Sequence, residues 1–180
     1  MSSPDEARDA GAAALLALAA ERSWRQITLR DVAEHARLPL AELYAAASSK
    51  EALLAHLAAR QDAAALDTAE TASEDPHDRL FDATMARVEA MQPDRAALIA
   101  IAREASALVL APHFPRTARA ILEAAGVEAT PARILAMTMV WARVAQVWRD
   151  DEGALNRTMA EIDQRLKQMR ARLARIGAGF

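Results

Sequence analysis

The sequence predicts an all-α fold of about nine helices, and three observations predict it. Alanine dominates a chain that is 53% hydrophobic, holds only 5 glycines and has no β-branched run, a composition that favours helix. Apolar residues recur at alternating spacings of three and four. Each apolar stretch is bounded by a residue able to cap a helix or by proline. At 180 residues the chain is one domain, or a small N-terminal module on a larger helical body. The boundary we expect divides residues 1–57 from 58–180.

In order, Pro4-Asp5-Glu6 opens a first helix with acids where the helix dipole favours them. It buries Leu15, Leu18 and Ala19 and ends near Ser23-Trp24. Thr28 is a capping residue with Asp31 as reciprocal partner, starting a second helix, Leu29 to about Ala36. Pro39 suits the first turn of a third helix carrying Leu40, Leu43 and Tyr44. Ser48-Ser49-Lys50-Glu51 reads as a further capping box, opening a long fourth helix to about Asp67. Asp75-Pro76 is a break. A fifth helix then spans about Asp78 to Met91, and a sixth follows Pro93 through Leu98, Ile101 and Leu108. Pro112 and Pro115 are expected to bracket a loop. Ile121-Leu122 belong to a short helix stopped by Gly126. Thr130-Pro131 is a strong helix start, followed by the stripe Ile134, Met137, Trp141, Val144 and Trp148. The last helix repeats the pattern with Leu155, Met159, Ile162, Leu166, Met169, Leu173 and Ile176. Two adjacent helices with such stripes suit a four-helix seam between two copies. The dimer interface we expect is therefore Val144, Trp148, Leu155, Ile162, Leu166 and Met169.

Several classes of function are excluded. With no cysteine, disulfides, cysteine-ligated zinc and thiol catalysis are out. His35, His56, His77 and His113 have no i, i+3 or i, i+4 pairing, so no metal site is expected. Asp150-Asp151-Glu152 read as first-turn acids of the last helix, opposing its dipole. No nucleophile elbow, Walker loop or dinucleotide fingerprint occurs; we expect no enzyme and no cofactor. The acidic N-terminus has no apolar signal core, and no run of about 18 apolar residues exists, so the expected location is cytoplasmic. Arg165, Lys167, Arg170, Arg172 and Arg175 oppose an apolar stripe. That face could lie on a membrane surface, but a solvated helix face is the plainer reading.

Function is concentrated in residues 24–54, two short helices on a tight turn followed by a third. That is how a helix-turn-helix reader is built. Ala20-Glu21-Arg22 with Trp24, then Thr28-Leu29-Arg30-Asp31-Val32-Ala33, Leu43-Tyr44 and Ser49-Lys50-Glu51-Ala52-Leu53-Leu54 follow one another at a characteristic spacing. Over residues 13–57 the chain resembles the DNA-binding domain of TetR-type transcriptional regulators. The resemblance implies a repressor-like homodimer on a palindromic double-stranded operator. It implies that Thr28 lies near a phosphate, that Tyr44 and Lys50 meet others, and that Leu40, Ala41 and Ala45 read bases. It also implies a small apolar ligand in the C-terminal body that changes the spacing of the two readers, with Phe81, Met85, Met137 and Trp141 lining its pocket.

The chain departs from that pattern in charge and at the turn. Arg37 stands where the family usually has glycine, so either the turn differs or Arg37 adopts a costly left-handed conformation. Ala45, Ala46 and Ala47 replace a basic and aromatic run. Up to Lys50, six cations face seven acids, and none of those cations lies between Leu38 and Ser49. Such a reader should bind weakly, or read mainly by apolar contact with thymine methyls. The C-terminal segment Val147-Trp148-Arg149-Asp150-Asp151, Thr158-Met159, Ile162-Asp163 and Arg165-Leu166 also resembles the ubiquinone-biosynthesis lipid-binding proteins of TetR fold. That implies an alternative, a carrier that does not bind DNA and holds an isoprenoid or acyl chain in the same pocket.

Overall fold

The computed structural model describes residues 3–71, 73–151 and 154–180. The described residues contain ten α-helical segments and no strand: α1 (Pro4–Glu21), α2 (Leu29–Ala36), α3 (Leu40–Ala46), α4 (Lys50–Leu66), α5 (Pro76–Glu89), α6 (Arg95–Glu104), α7 (Ala107–Leu110), α8 (His113–Ala124), α9 (Pro131–Asp150) and α10 (Asn156–Arg175). The chain forms two compact units, residues 1–60 with 93–110 and residues 61–92 with 111–180.

Local chemistry explains most boundaries. Ser3 and Glu6 close a reciprocal capping box on α1, as Thr28 and Asp31 do on α2. α4 begins one residue later than the expected box. Ser49 accepts from the Ala52 N–H at 3.1 Å. The third residue of the helix is thus Ala52, which cannot reciprocate as a Glu would. The expected sixth helix is two segments, because Ala105 turns to an extended conformation after α6. The expected loop at Pro112–Pro115 is instead the first turn of α8. Proline is tolerated there because the first N–H groups of a helix have no intrahelical partner.

In the first unit α1 packs on α2, α3 and α6. Leu15, Leu18, Trp24, Ile27, Val32, Leu43, Leu53 and Leu54 form its core, joined by Ala97 and Ile101 of α6. Gly11 is a contact of closest approach, since a Cβ there would lie 2.7 Å from Leu43 Cδ1 and 3.0 Å from Leu53 Cδ2. His56 of α4 lies 2.7 Å from Asp9 of α1. In the second unit α9 packs on α8 and α10, and α5 on α8 and α10. Its buried residues include Leu80, Val88, Ile121, Leu122, Met137, Val144, Trp148, Ile162 and Leu166. Asp151 caps α9 and is buried, and its carboxylate accepts from both the Thr158 N–H and hydroxyl in the first turn of α10. It therefore meets an N-terminal N–H of α10 from the end of α9, and not from the first turn of the last helix where this acid group was expected. Asp150 instead ends α9 beside Arg149; Glu152 lies outside the described residues. Leu155 enters α10 with φ 58.

Candidate nucleic-acid interface

Helix α3 is positioned by its buried side. Leu43 is the fully buried residue of α3, and helical geometry turns Ala41, Tyr44 and Ala45 away from it, with Leu40, one turn earlier, at the edge of its face. All four are exposed, Leu40 to 38% and Tyr44 to 60%. The turn from α2 to α3 is fastened by the Leu38 N–H on Ala33 O at 2.9 Å and the Arg37 N–H on Glu34 O at 3.2 Å. That double closure requires a left-handed residue. Arg37 supplies it at φ 56 and ψ 37.

Thr28 is exposed, and its hydroxyl is tied to Asp31. That hydrogen bond, helped by the Thr28 N–H, holds the Asp31 carboxyl below the ordinary carboxylate range. Lys50 is turned inward. Its Nζ donates to the carbonyls of Trp24 at 2.6 Å and Ile27 at 2.9 Å and lies 4.4 Å from the Trp24 ring centre. Two of its three donors are thus engaged within the unit. Arg8 donates to Ala46 O at 2.8 Å, and Arg22 lies 3.7 Å from Asp31. Arg25, Arg30 and Arg37 are exposed and form no ion pair among the described residues.

No family model matches this chain, and no curated protein matches it. Solved structures do. A TetR transcriptional regulator from Rhodococcus sp. RHA1 aligns with a TM-score of 0.68 at 18% identity, over 92% of this chain and 96% of that one. The fold is TetR-like. A second Rhodococcus sp. Rha1 structure, a transcriptional regulator, aligns with a TM-score of 0.60 at 23% identity, over 93% of this chain and 96% of that one.

Within the TetR-like fold, the other expected site residues are distributed differently from the sequence reading. Val144, Trp148, Ile162, Leu166 and Met169 are all buried inside the second unit, and Leu155 is half-buried. Val144, Trp148, Ile162 and Leu166 belong to its core, while Met169, though only 4% exposed, also borders the outer groove between α9 and α10. The large apolar residues left exposed on α9 and α10 are Leu135 (64%), Met139 (62%), Met159 and Ile176. Leu135, Met139 and Ile176 line a groove of about 470 Å³ with Ala136, Arg143 and Arg172. Met137 and Trp141 are buried, while Phe81 and Met85 are half-buried; none of these four lines that groove. Of the C-terminal cations, Arg165 pairs with Glu161, Lys167 with Asp163 and Arg170 with Asp75.

The sequence reading missed two features. One is the exposed stripe of α9, legible as Ala132, Leu135, Ala136, Met139 and Arg143 at spacings of three and four. The other is a largely buried ion pair, from the buried Arg87 Nε to the half-buried Asp62 Oδ1 at 2.6 Å, in which Asp62 also accepts from Thr117. Desolvation lowers the Arg87 pKa, opposed by the Asp62 charge. No local pattern marks this pair.

Proposed function

We propose that this protein is a transcriptional regulator, acting as a repressor, which binds a palindromic double-stranded operator as a homodimer through residues 24–50. The observation that supports it most is the outward face of α3: four exposed residues on a short helix held by Leu43, within a TetR-like fold. Leu40, Ala41 and Ala45 are assigned to base edges and Tyr44 to a phosphate. Thr28 and Lys50 lie at the borders of the interface. Because two Lys50 donors are already engaged, its main part is to hold α4 against Trp24 while its remaining N–H meets a phosphate.

The homodimer is assigned to the outer face of α9 and α10, through Leu135, Met139 and Ile176. The small residues Ala132 and Ala136 there let a second helix approach closely. Phe81, Met85, Met137 and Trp141 are assigned to a small apolar ligand that modulates DNA binding. Since Met137 and Trp141 are packed, the ligand must displace core contacts, which would couple its binding to the arrangement of α5 and α9.

The test is fluorescence anisotropy of duplexes selected by the protein from a random library, titrated at several salt concentrations. Three exposed arginines and Lys50 per copy give an expected log–log salt slope of about −7 for a dimer. Selection of no sequence, together with co-purified lipid in native mass spectrometry, would replace this reading with the lipid carrier.

A further inference from the structure

Arg37 is one of two non-glycine residues with positive φ among the described residues. The turn imposes that conformation through the backbone hydrogen bonds of Arg37 and Leu38. Glycine would adopt it without the clash that a Cβ creates. Retaining a β-carbon here is therefore a local cost, and the folded chain offers no visible compensation. The Arg37 side chain is exposed and makes no hydrogen bond or ion pair among the described residues. Leu155, the other such residue, differs: it is half-buried and stands beside the Asp151–Thr158 cap. Backbone outliers of this kind cluster at sites of interaction, which makes the exposed Arg37 side chain a candidate for a contact outside the folded unit.

The chemistry of that interaction follows from the neighbours. From Leu38 to Ser49 there is no cation, and Arg8 and Lys50 are committed to backbone carbonyls. Arg37 is the cation closest in sequence to the exposed face of α3, three residues before Leu40. Arginine offers a planar fork that matches phosphate oxygens in pairs. We propose that Arg37 is a DNA-phosphate anchor of the reading helix, and that its left-handed conformation is retained because glycine, though better suited to the turn, would leave α3 without a cation. This rests on the DNA-binding reading above.

The test compares Arg37→Gly, Arg37→Gln and Arg37→Lys with the unaltered chain on one selected duplex. Arg37→Gly is expected to melt higher, because the turn is relaxed, yet to bind about tenfold more weakly. Its log–log salt slope should be shallower by about 0.9 per bound copy, the value for one phosphate contact. Arg37→Gln should lose affinity to the same degree without gaining thermal stability. Arg37→Lys should keep the slope and lose part of the affinity. Unchanged affinity and slope in Arg37→Gly would overturn the proposal while leaving the DNA-binding reading standing. A lower melting temperature for Arg37→Gly would overturn the strain argument on which it depends. If the unaltered chain selects no duplex, the DNA-binding reading itself falls, and the proposal falls with it.

Discussion

The outer face of α3 and the outer face of α9 and α10 both expose apolar side chains, but they are built differently. The α3 face has seven helical residues, two alanines, one leucine and one tyrosine outward, and no cation of its own. The α9–α10 face has two 20-residue helices, with Leu135, Met139 and Ile176 exposed beside arginines. Burying each of the three large residues is worth roughly 1.5–3 kcal/mol before the cost of association, which is what the dimer proposed above would draw on. The small α3 face gains little from such burial and suits shape contact with base edges. Exposed apolar area alone therefore does not define a role; side-chain size and the length of the supporting helix do.

The largest expected effect breaks the α9–α10 side of that contrast. Leu135→Glu with Met139→Glu should raise the dimer dissociation constant by about a thousandfold or more, because two anchors are lost and carboxylates would be buried. Sedimentation equilibrium checks this, and a dimer that survives would remove this face from the interface. Next comes a pair on α3. Leu43→Ala should destabilise the first unit by roughly 2–5 kcal/mol by leaving a cavity. Tyr44→Ala should change stability by less than about 0.5 kcal/mol yet weaken DNA binding about tenfold. Chemical denaturation and anisotropy on the same samples separate the two, and equal stability losses would show that Tyr44 is scaffold. Thr28→Ala should cost about 1 kcal/mol through loss of the cap, read by urea denaturation, with DNA affinity at 25 °C nearly unchanged if the hydroxyl serves Asp31 alone.

The smallest effect compares the supports of the two faces. His56–Asp9 ties α4 to α1, and His77–Asp163 ties α5 to α10. Asp9 has its pKa lowered first by the hydrogen bond from His56, with Arg60 assisting; Asp163 is lowered first by Lys167 and then by His77. A lowered carboxylate contributes stability above its unfolded value of about 3.9, and loses it as pH falls through the folded value. Asp9 has a side chain 47% exposed, so Asp9→Asn should cost at most about 0.5 kcal/mol at neutral pH. That gap should close as pH falls through the folded Asp9 value, below about 4. A gap that stays constant with pH would show that the carboxylate charge is not what matters.

Local chemistry made much of this fold legible in sequence. Thr28 with Asp31, Thr130 with Pro131, and Gly126 state their helix ends without reference to the rest of the chain. The outward set Leu40, Ala41, Tyr44 and Ala45 came from the resemblance alone, and all four are exposed on α3. What stayed illegible depends on partners distant in sequence. The first-turn position of Lys50 is local, but the Trp24 and Ile27 carbonyls that take up its ammonium are brought there by packing. The most regular apolar stripe on α9 and α10 identified residues sharing a face, and most of that face is buried within the second unit. Periodicity says which side chains stand together and not what covers them, so the less regular stripe of Leu135 and Met139 was overlooked. The Arg87–Asp62 pair joins α5 to α4 across a gap in sequence that no spacing rule spans.

Gly11 carries a further consequence. Because the ends of Leu43 and Leu53 already fill the space a methyl would occupy, the packing beneath α3 is gauged by an absent atom on α1. Position 11 is thus a distant adjuster of that helix's footing: a single added carbon would force the Leu43 and Leu53 side chains to give way without altering any residue on the outer face of α3.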